Sequence, residues 1–294
     1  MKKENSSASL FYSYRYFVVK NAQTMLFDNE VSPIDELVKK CEKEKQISIE
    51  VEYRKDLFLY IHKYNEQTHL FKFCRDFPIK KYEYDAVKAD IIESRESNFP
   101  FIYVIIDTQK QMILLENKTA IYSTIDACKN AFTTFVITYI QSLNYSFSMD
   151  EIINLSTFWE TIENAKKIFE LKLNLKSPNL FGSALTTNEL LKKLKIDFNN
   201  DELDMNLKNS KGNLNITKQT IGDAIDYAGA GGGHWQLSFI RKGQTKKTKM
   251  NSKKSIKIIE VTDFEDEIQF EGSHEIIEKI MGLEDIIKEW GGAK

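Results

Sequence analysis

Residues 227–261 read YAGAGGGHWQLSFIRKGQTKKTKMNSKKSIKIIEV. Gly229, Gly231, Gly232 and Gly233 fall within five residues, where a helical pattern stops. His234 and Trp235 follow, then a short apolar run. Eight cations come next with no acid between them: Arg241, Lys242, Lys246, Lys247, Lys249, Lys253, Lys254 and Lys257. A loop without Cβ atoms lets backbone N–H groups approach an anion and accepts positive φ. A lysine-rich tip beside it suits phosphate groups. The order is helix, glycine loop, strand, basic tip, strand, with the two strands expected at 235–241 and 255–261.

Upstream of this stretch, residues 168–175 (IFELKLNL) alternate at period two and predict a strand. Residues 187–195 predict a helix. Residues 203–209 and 213–217 predict a hairpin about Ser210, Lys211 and Gly212. Residues 218–228 predict a second helix, and 275–290 a last one with Ile276, Ile280, Leu283 and Ile287 on one face. The sum is β-α-β-β-α-β, a ferredoxin-like domain with an extra strand and helix. Nearer the N-terminus, Ser32 and Pro33 followed by Asp35 and Glu36 make a helix start. Strands are expected at 10–20, 47–53, 57–64, 69–73, 101–107 and 111–116, with Asn65, Glu66 and Gln67 as a turn. Residues 76–98 read as irregular, 121–143 as a helix, and Ser148 as the cap of a short helix (MDEIINL). The fold class expected is α+β, with a strand-rich domain over 1–145 and the ferredoxin-like domain over 146–294.

The glycine loop lies between the second helix and the fourth strand of that unit. By element order and loop position, residues 168–261 resemble the RAMP proteins, RNA-binding components of CRISPR systems. The Asn-, Lys- and Ile-rich two-part chain also resembles bacterial phage-defence and mobile-element proteins. The resemblance implies RNA or DNA binding. The residues that would carry it are Gly231, Gly232, Gly233, His234, Arg241, Lys242, Lys246, Lys247, Lys249, Lys253 and Lys254. The same glycine cluster also fits a helix C-cap entering a tight strand, and the same lysines fit a solvated tip blunting an edge strand.

The net charge of −2 means that any nucleic-acid contact comes from a local patch. Cys41, Cys74 and Cys128 are odd in number and widely spaced, as expected of free thiols in a cytoplasmic protein. No membrane partner is expected, since no run approaches ~18 apolar residues.

Signatures of catalysis are sparse. The glycines are followed by neither Lys-Ser/Thr nor a helix, which excludes a P-loop and a dinucleotide fingerprint. The four histidines show no ligand spacing, so no metal or cofactor is expected. His62 and His69 flank a predicted turn and are the candidates for a metal-independent endoribonuclease. Asp107 and Glu116 flank another and would need a third acid to hold an ion. The acidic run Asp263, Glu265, Asp266 and Glu267 could pair with the basic tip of a second copy, which leaves a protein-protein module or homo-oligomer open.

Overall fold

The structure is a computed structural model. It describes residues 8–20, 32–51, 54–64, 68–143, 145–177, 189–262 and 264. The predicted turn at 65–67, the helix at 275–290 and the acidic run apart from its neighbour Phe264 lie outside the described residues.

In chain order the elements are β1 (Ala8–Lys20), α1 (Pro33–Glu44), β2 (Gln46–Val51), β3 (Arg54–Tyr64), β4 (Thr68–Arg75), β5 (Ile79–Asp85) and β6 (Asp90–Glu96). They continue as β7 (Phe101–Asp107), β8 (Met112–Glu116), α2 (Ile125–Ile140), β9 (Tyr145–Glu151), α3 (Ser156–Glu163) and β10 (Ala165–Lys176). The last are α4 (Glu189–Phe198), β11 (Glu202–Lys208), α5 (Lys218–Tyr227), β12 (Gly233–Arg241), β13 (Thr248–Asn251) and β14 (Ile258–Thr262). The α+β mixture is as expected, and strands dominate it. No described helix is long and apolar enough to cross a membrane.

The fold divides into two compact units. One comprises residues 18–108 and 115–147; the other comprises 1–17, 109–114 and 148–294. The second unit thus draws two segments from inside the 1–145 stretch.

In the first of these units β2, β3, β4 and β7 pair antiparallel in that order. Pro33 opens α1 and Asp35 and Glu36 occupy its first turn, where acids favour the positive end of the helix dipole. The helix buries Ile34, Leu37, Val38 and Cys41. Thr124 caps α2 by accepting from the Ala127 N–H. Phe132 and Phe135 of α2 meet Phe73 of β4 edge-on, at 5.3 and 5.6 Å between ring centroids, a favourable aromatic geometry. Residues 76–98 are not irregular. β5 and β6 make a separate two-stranded ribbon, held on one face by Lys81 ion pairs to Glu83 and Glu96.

All three cysteines are free and buried in this unit. Burial pushes the Cys41 thiol up to about 12, Cys74 to about 11 and Cys128 to about 12. We expect Ellman's reagent at neutral pH to find essentially no reactive thiol in the native protein and three in denaturant. The signs also set a pH dependence. Raised thiol pKa values add stability that is complete below the unfolded value, near 8.5, and is lost as pH climbs towards 11–12. Fast native labelling of any cysteine would contradict this account of the core.

In the second unit β11, β10, β12 and β13 form one antiparallel sheet in that order. Alternation turns Leu171, Leu173 and Leu175 of β10 and Trp235, Leu237 and Phe239 of β12 into the core, against Phe158, Leu191, Ile221 and Ile225. Each such buried side chain contributes roughly 1.5–3 kcal/mol.

This sheet departs from the βαββαβ order. Residues 213–217 form no strand; Asn213 makes one parallel bridge to Ile168. Two local choices explain it. Asn209 Oδ1 accepts from the N–H groups of Lys211 and Asn213, which turns the chain. Thr217 then caps α5 in a reciprocal capping box with Thr220, so no length is left for a strand. Residues 255–261 also differ from expectation: β14 pairs with β1, from Ala8↔Thr262 to Tyr12↔Ile258, and not with β12. The predicted helix after Ser148 is instead strand β9, paired with β1.

Candidate nucleic-acid interface

The sheet of the second unit has an outer face, and its register aligns polar side chains there in rows. Asn206, Lys172, Gln236 and Asn251 stand across from one another on β11, β10, β12 and β13. The next row is Asp204, Asn174 and His234. A groove of about 560 Å3 lies over these two rows and is bounded by Ser252 and Lys253. Asn174 Nδ2 donates to Asp204 Oδ1 at 2.8 Å and Glu202 Oε2 at 3.1 Å, which fixes one end of the face. On the row beyond, Glu170 has a lowered pKa. Desolvation opposes its charge, but the hydrogen bond from Lys208 and the nearby Lys172, Lys208 and Lys249 outweigh it.

The basic tip closes this sheet at one edge. It joins β12 to β13, which pair from Gln236↔Asn251 to Phe239↔Thr248. Arg241, Lys242, Lys246, Lys247, Lys249 and Lys253 are all exposed. Two of these cations also serve their own chain. Lys242 Nζ donates to the Glu163 carbonyl at 2.8 Å, and Lys247 Nζ lies 4.5 Å from the Phe169 ring centroid. The Lys254 side chain lies outside the described residues.

The glycine loop sits differently from an anion cradle. Gly231, Gly232 and Gly233 are buried. A Cβ on Gly232 would collide with the Tyr227 ring, and one on Gly233 would collide with the Asn174 carbonyl oxygen. Close packing is therefore what these glycines permit. Trp235, 2% exposed, meets Phe158 at 4.9 Å in the core, which leaves little of its ring for a base to stack on. His234 does line the groove.

His62 and His69 are not brought together. His69 pairs across the ladder with Tyr64, while His62 falls in a bulge between Ile61 and Lys63. His69 is buried, with Nε2 3.2 Å from Glu42 Oε1. Its pKa is lowered by burial, against the pull of Glu42. His62 is exposed and its ring lies 6.0 Å from that of Tyr103. Asp107 and Glu116 are both buried; Glu116 Oε2 accepts from the Tyr103 N–H at 2.9 Å, a structural role.

Sequence reasoning missed a cluster at the end of the groove. Asp150 and Glu151 end β9, and their oxygens and a ring nitrogen of His234 all lie within 4.8 Å of one another. Lys176 Nζ stands 2.8 Å from Asp150 Oδ2 and donates to Ser148 Oγ at 2.9 Å. Asp150 and Glu151 are hidden inside a segment that reads as a helix start. Only knowledge that β9 is a strand would have pointed to them. Arg15 was missed as well. It is 2% exposed and lies against the Phe17 and Tyr227 rings, at 5.7 and 6.0 Å, and burial lowers its pKa.

Comparison with protein-family models, with curated proteins and with solved structures returned no match.

Proposed function

We propose that this chain binds nucleic acid through the outer face of the β11-β10-β12-β13 sheet, without catalysing a reaction. The carrying observation is that exposed cations at the basic tip adjoin, on one sheet, a groove lined by amides and lysines. Lysine and arginine supply sequence-independent phosphate contacts. Asn and Gln carry a donor and an acceptor each and can pair with base edges or sugar hydroxyls. The glycine loop contributes by holding β12 against β10. For the ribonuclease alternative the separation of His62 and His69 offers no support.

The groove distinguishes nucleic acid from polyanions in general. The double change Gln236→Ala with Asn251→Ala removes two amides and no charge. It is expected to weaken binding of a single-stranded oligonucleotide by at least about tenfold, since each good amide pair contributes ~1–3 kcal/mol. Heparin affinity should be unchanged. Equal loss, or no loss, for both ligands would contradict nucleic-acid recognition by the groove. DNA and RNA oligonucleotides of one sequence, run side by side, identify the preferred sugar.

A second reading, a protein-protein module, is favoured by the β5–β6 ribbon. Tyr82, Tyr84, Val87 and Ile91 on it are each more than half exposed, and a two-stranded ribbon is marginal alone in water. Concentration-dependent mass that falls on Tyr84→Ser would support it.

A further inference from the structure

We propose that Asp150, Glu151 and His234 form a site for a single divalent transition-metal ion at the end of the sheet groove. The donor atoms lie within 4.8 Å of one another. Oxygen and nitrogen ligands about 2.1 Å from one ion stand roughly 3–4 Å apart, so small side-chain shifts close the cluster on an ion.

One further observation points to a ligand. The Nδ1 atom of His234 is shielded from solvent and has no hydrogen-bond partner. An imidazole in that condition has lost water without compensation. Asp150 is 6% exposed, and the Lys176 ammonium 2.8 Å from its Oδ2 now balances its charge. Lys176 approaches one of its oxygens but also donates to Ser148, so the ammonium has a place to go when a cation arrives.

The backbone builds this convergence. Gly233, at φ 149°, lets β12 approach the Asn174 carbonyl, and the next residue, His234, is thereby set across from Asn174. The end of β9 is pinned by the Ile152 N–H on Ser13 O and the Ile153 N–H on Gly229 O, both at 2.9 Å. The glycine loop thus positions both halves of the site, the histidine through Gly233 and the acids through Gly229.

The donor set selects the metal. One imidazole with two carboxylates suits Mn2+ or Zn2+, whereas Ca2+ and Mg2+ favour all-oxygen shells. Three protein ligands leave coordination positions for water or a ligand oxygen.

The test uses the full chain, free of any histidine tag and of nucleic acid, so that its outcome is independent of the proposed function. MnCl2 alone is titrated and free Mn2+ is read by electron paramagnetic resonance, a hard probe that the buried thiols do not compete for. One saturable site is expected. His234→Gln should weaken it at least tenfold, while Lys176→Met, which frees Asp150, should tighten it. Both variants are first checked for native circular dichroism and melting. Should either misfold, Glu151→Gln replaces it and should also weaken binding. The absence of a saturable site, or equal affinity in wild type and His234→Gln, would overturn the proposal.

Discussion

Gly233→Ala is expected to lower the melting temperature by about 10 °C or more, and to be the most damaging single methyl group that can be added to the loop. The new Cβ would collide with the Asn174 carbonyl oxygen and stand 2.9 Å from the Leu175 Cα. Both are backbone atoms of the central strand β10, so no rotamer change relieves the clash. Overpacking costs roughly 1–3 kcal/mol, and an L-residue held at φ 149° costs about 1–3 more. For a unit of this size each kcal/mol moves the midpoint by about 2–4 °C. Gly243 is the control. It has φ +77° but no atom within 4 Å of its would-be Cβ. Gly243→Ala should therefore cost only the backbone term, about 1–2 kcal/mol, and shift melting by a few degrees. Equal effects at the two positions would show that β12 does not approach β10 as described.

The second large effect concerns binding. Lys246, Lys247 and Lys249 changed together to Gln should weaken nucleic-acid affinity by at least tenfold at ~50 mM salt and leave melting within about 5 °C of wild type. All three are exposed, and surface changes usually cost no more than ~0.5 kcal/mol each. The triple change also removes the packing of Lys247 on Phe169, and an exposed cation–π pair contributes about 0.5–1 kcal/mol. Removing three phosphate contacts should flatten the log–log salt dependence by about 2–3 units. The groove variant Gln236→Ala with Asn251→Ala should leave that slope unchanged, because amides release no counterions.

Local chemistry is readable wherever it decides the outcome by itself. Pro33 with Asp35 and Glu36 announces α1, and the alternation of Leu171, Leu173 and Leu175 announces β10 with its buried face. Where the sequence misleads, a tertiary partner has taken over. Ser148, Met149, Asp150 and Glu151 carry a cap residue and two acids, the pattern of a helix N-terminus, yet pairing with β1 draws them out as β9. Residues 255–261 follow the basic tip and alternate well, but β14 finds β1 and not β12. An anion cradle and a tight helix-to-sheet join both require missing Cβ atoms, so the glycines alone do not tell one from the other. The positions of Tyr227 and Asn174 show the close packing at this join. His234 stands out in the sequence beside the glycines and lines the groove in the structure. Its partners Asp150 and Glu151 come from a segment over eighty residues earlier and leave no local trace of the pairing.

The most direct test of the central claim is the salt dependence of wild-type affinity for a single-stranded oligonucleotide. Arg241, Lys246, Lys247, Lys249 and Lys253 are exposed, and Lys172 lines the groove. About five to six phosphate contacts predict a slope of roughly −3.5 to −4 in log K against log salt, at ~0.7 per contact on a single strand. A slope in that range that falls with the triple Gln variant is the predicted result. A slope near zero, or no binding at ~50 mM salt, would contradict the account.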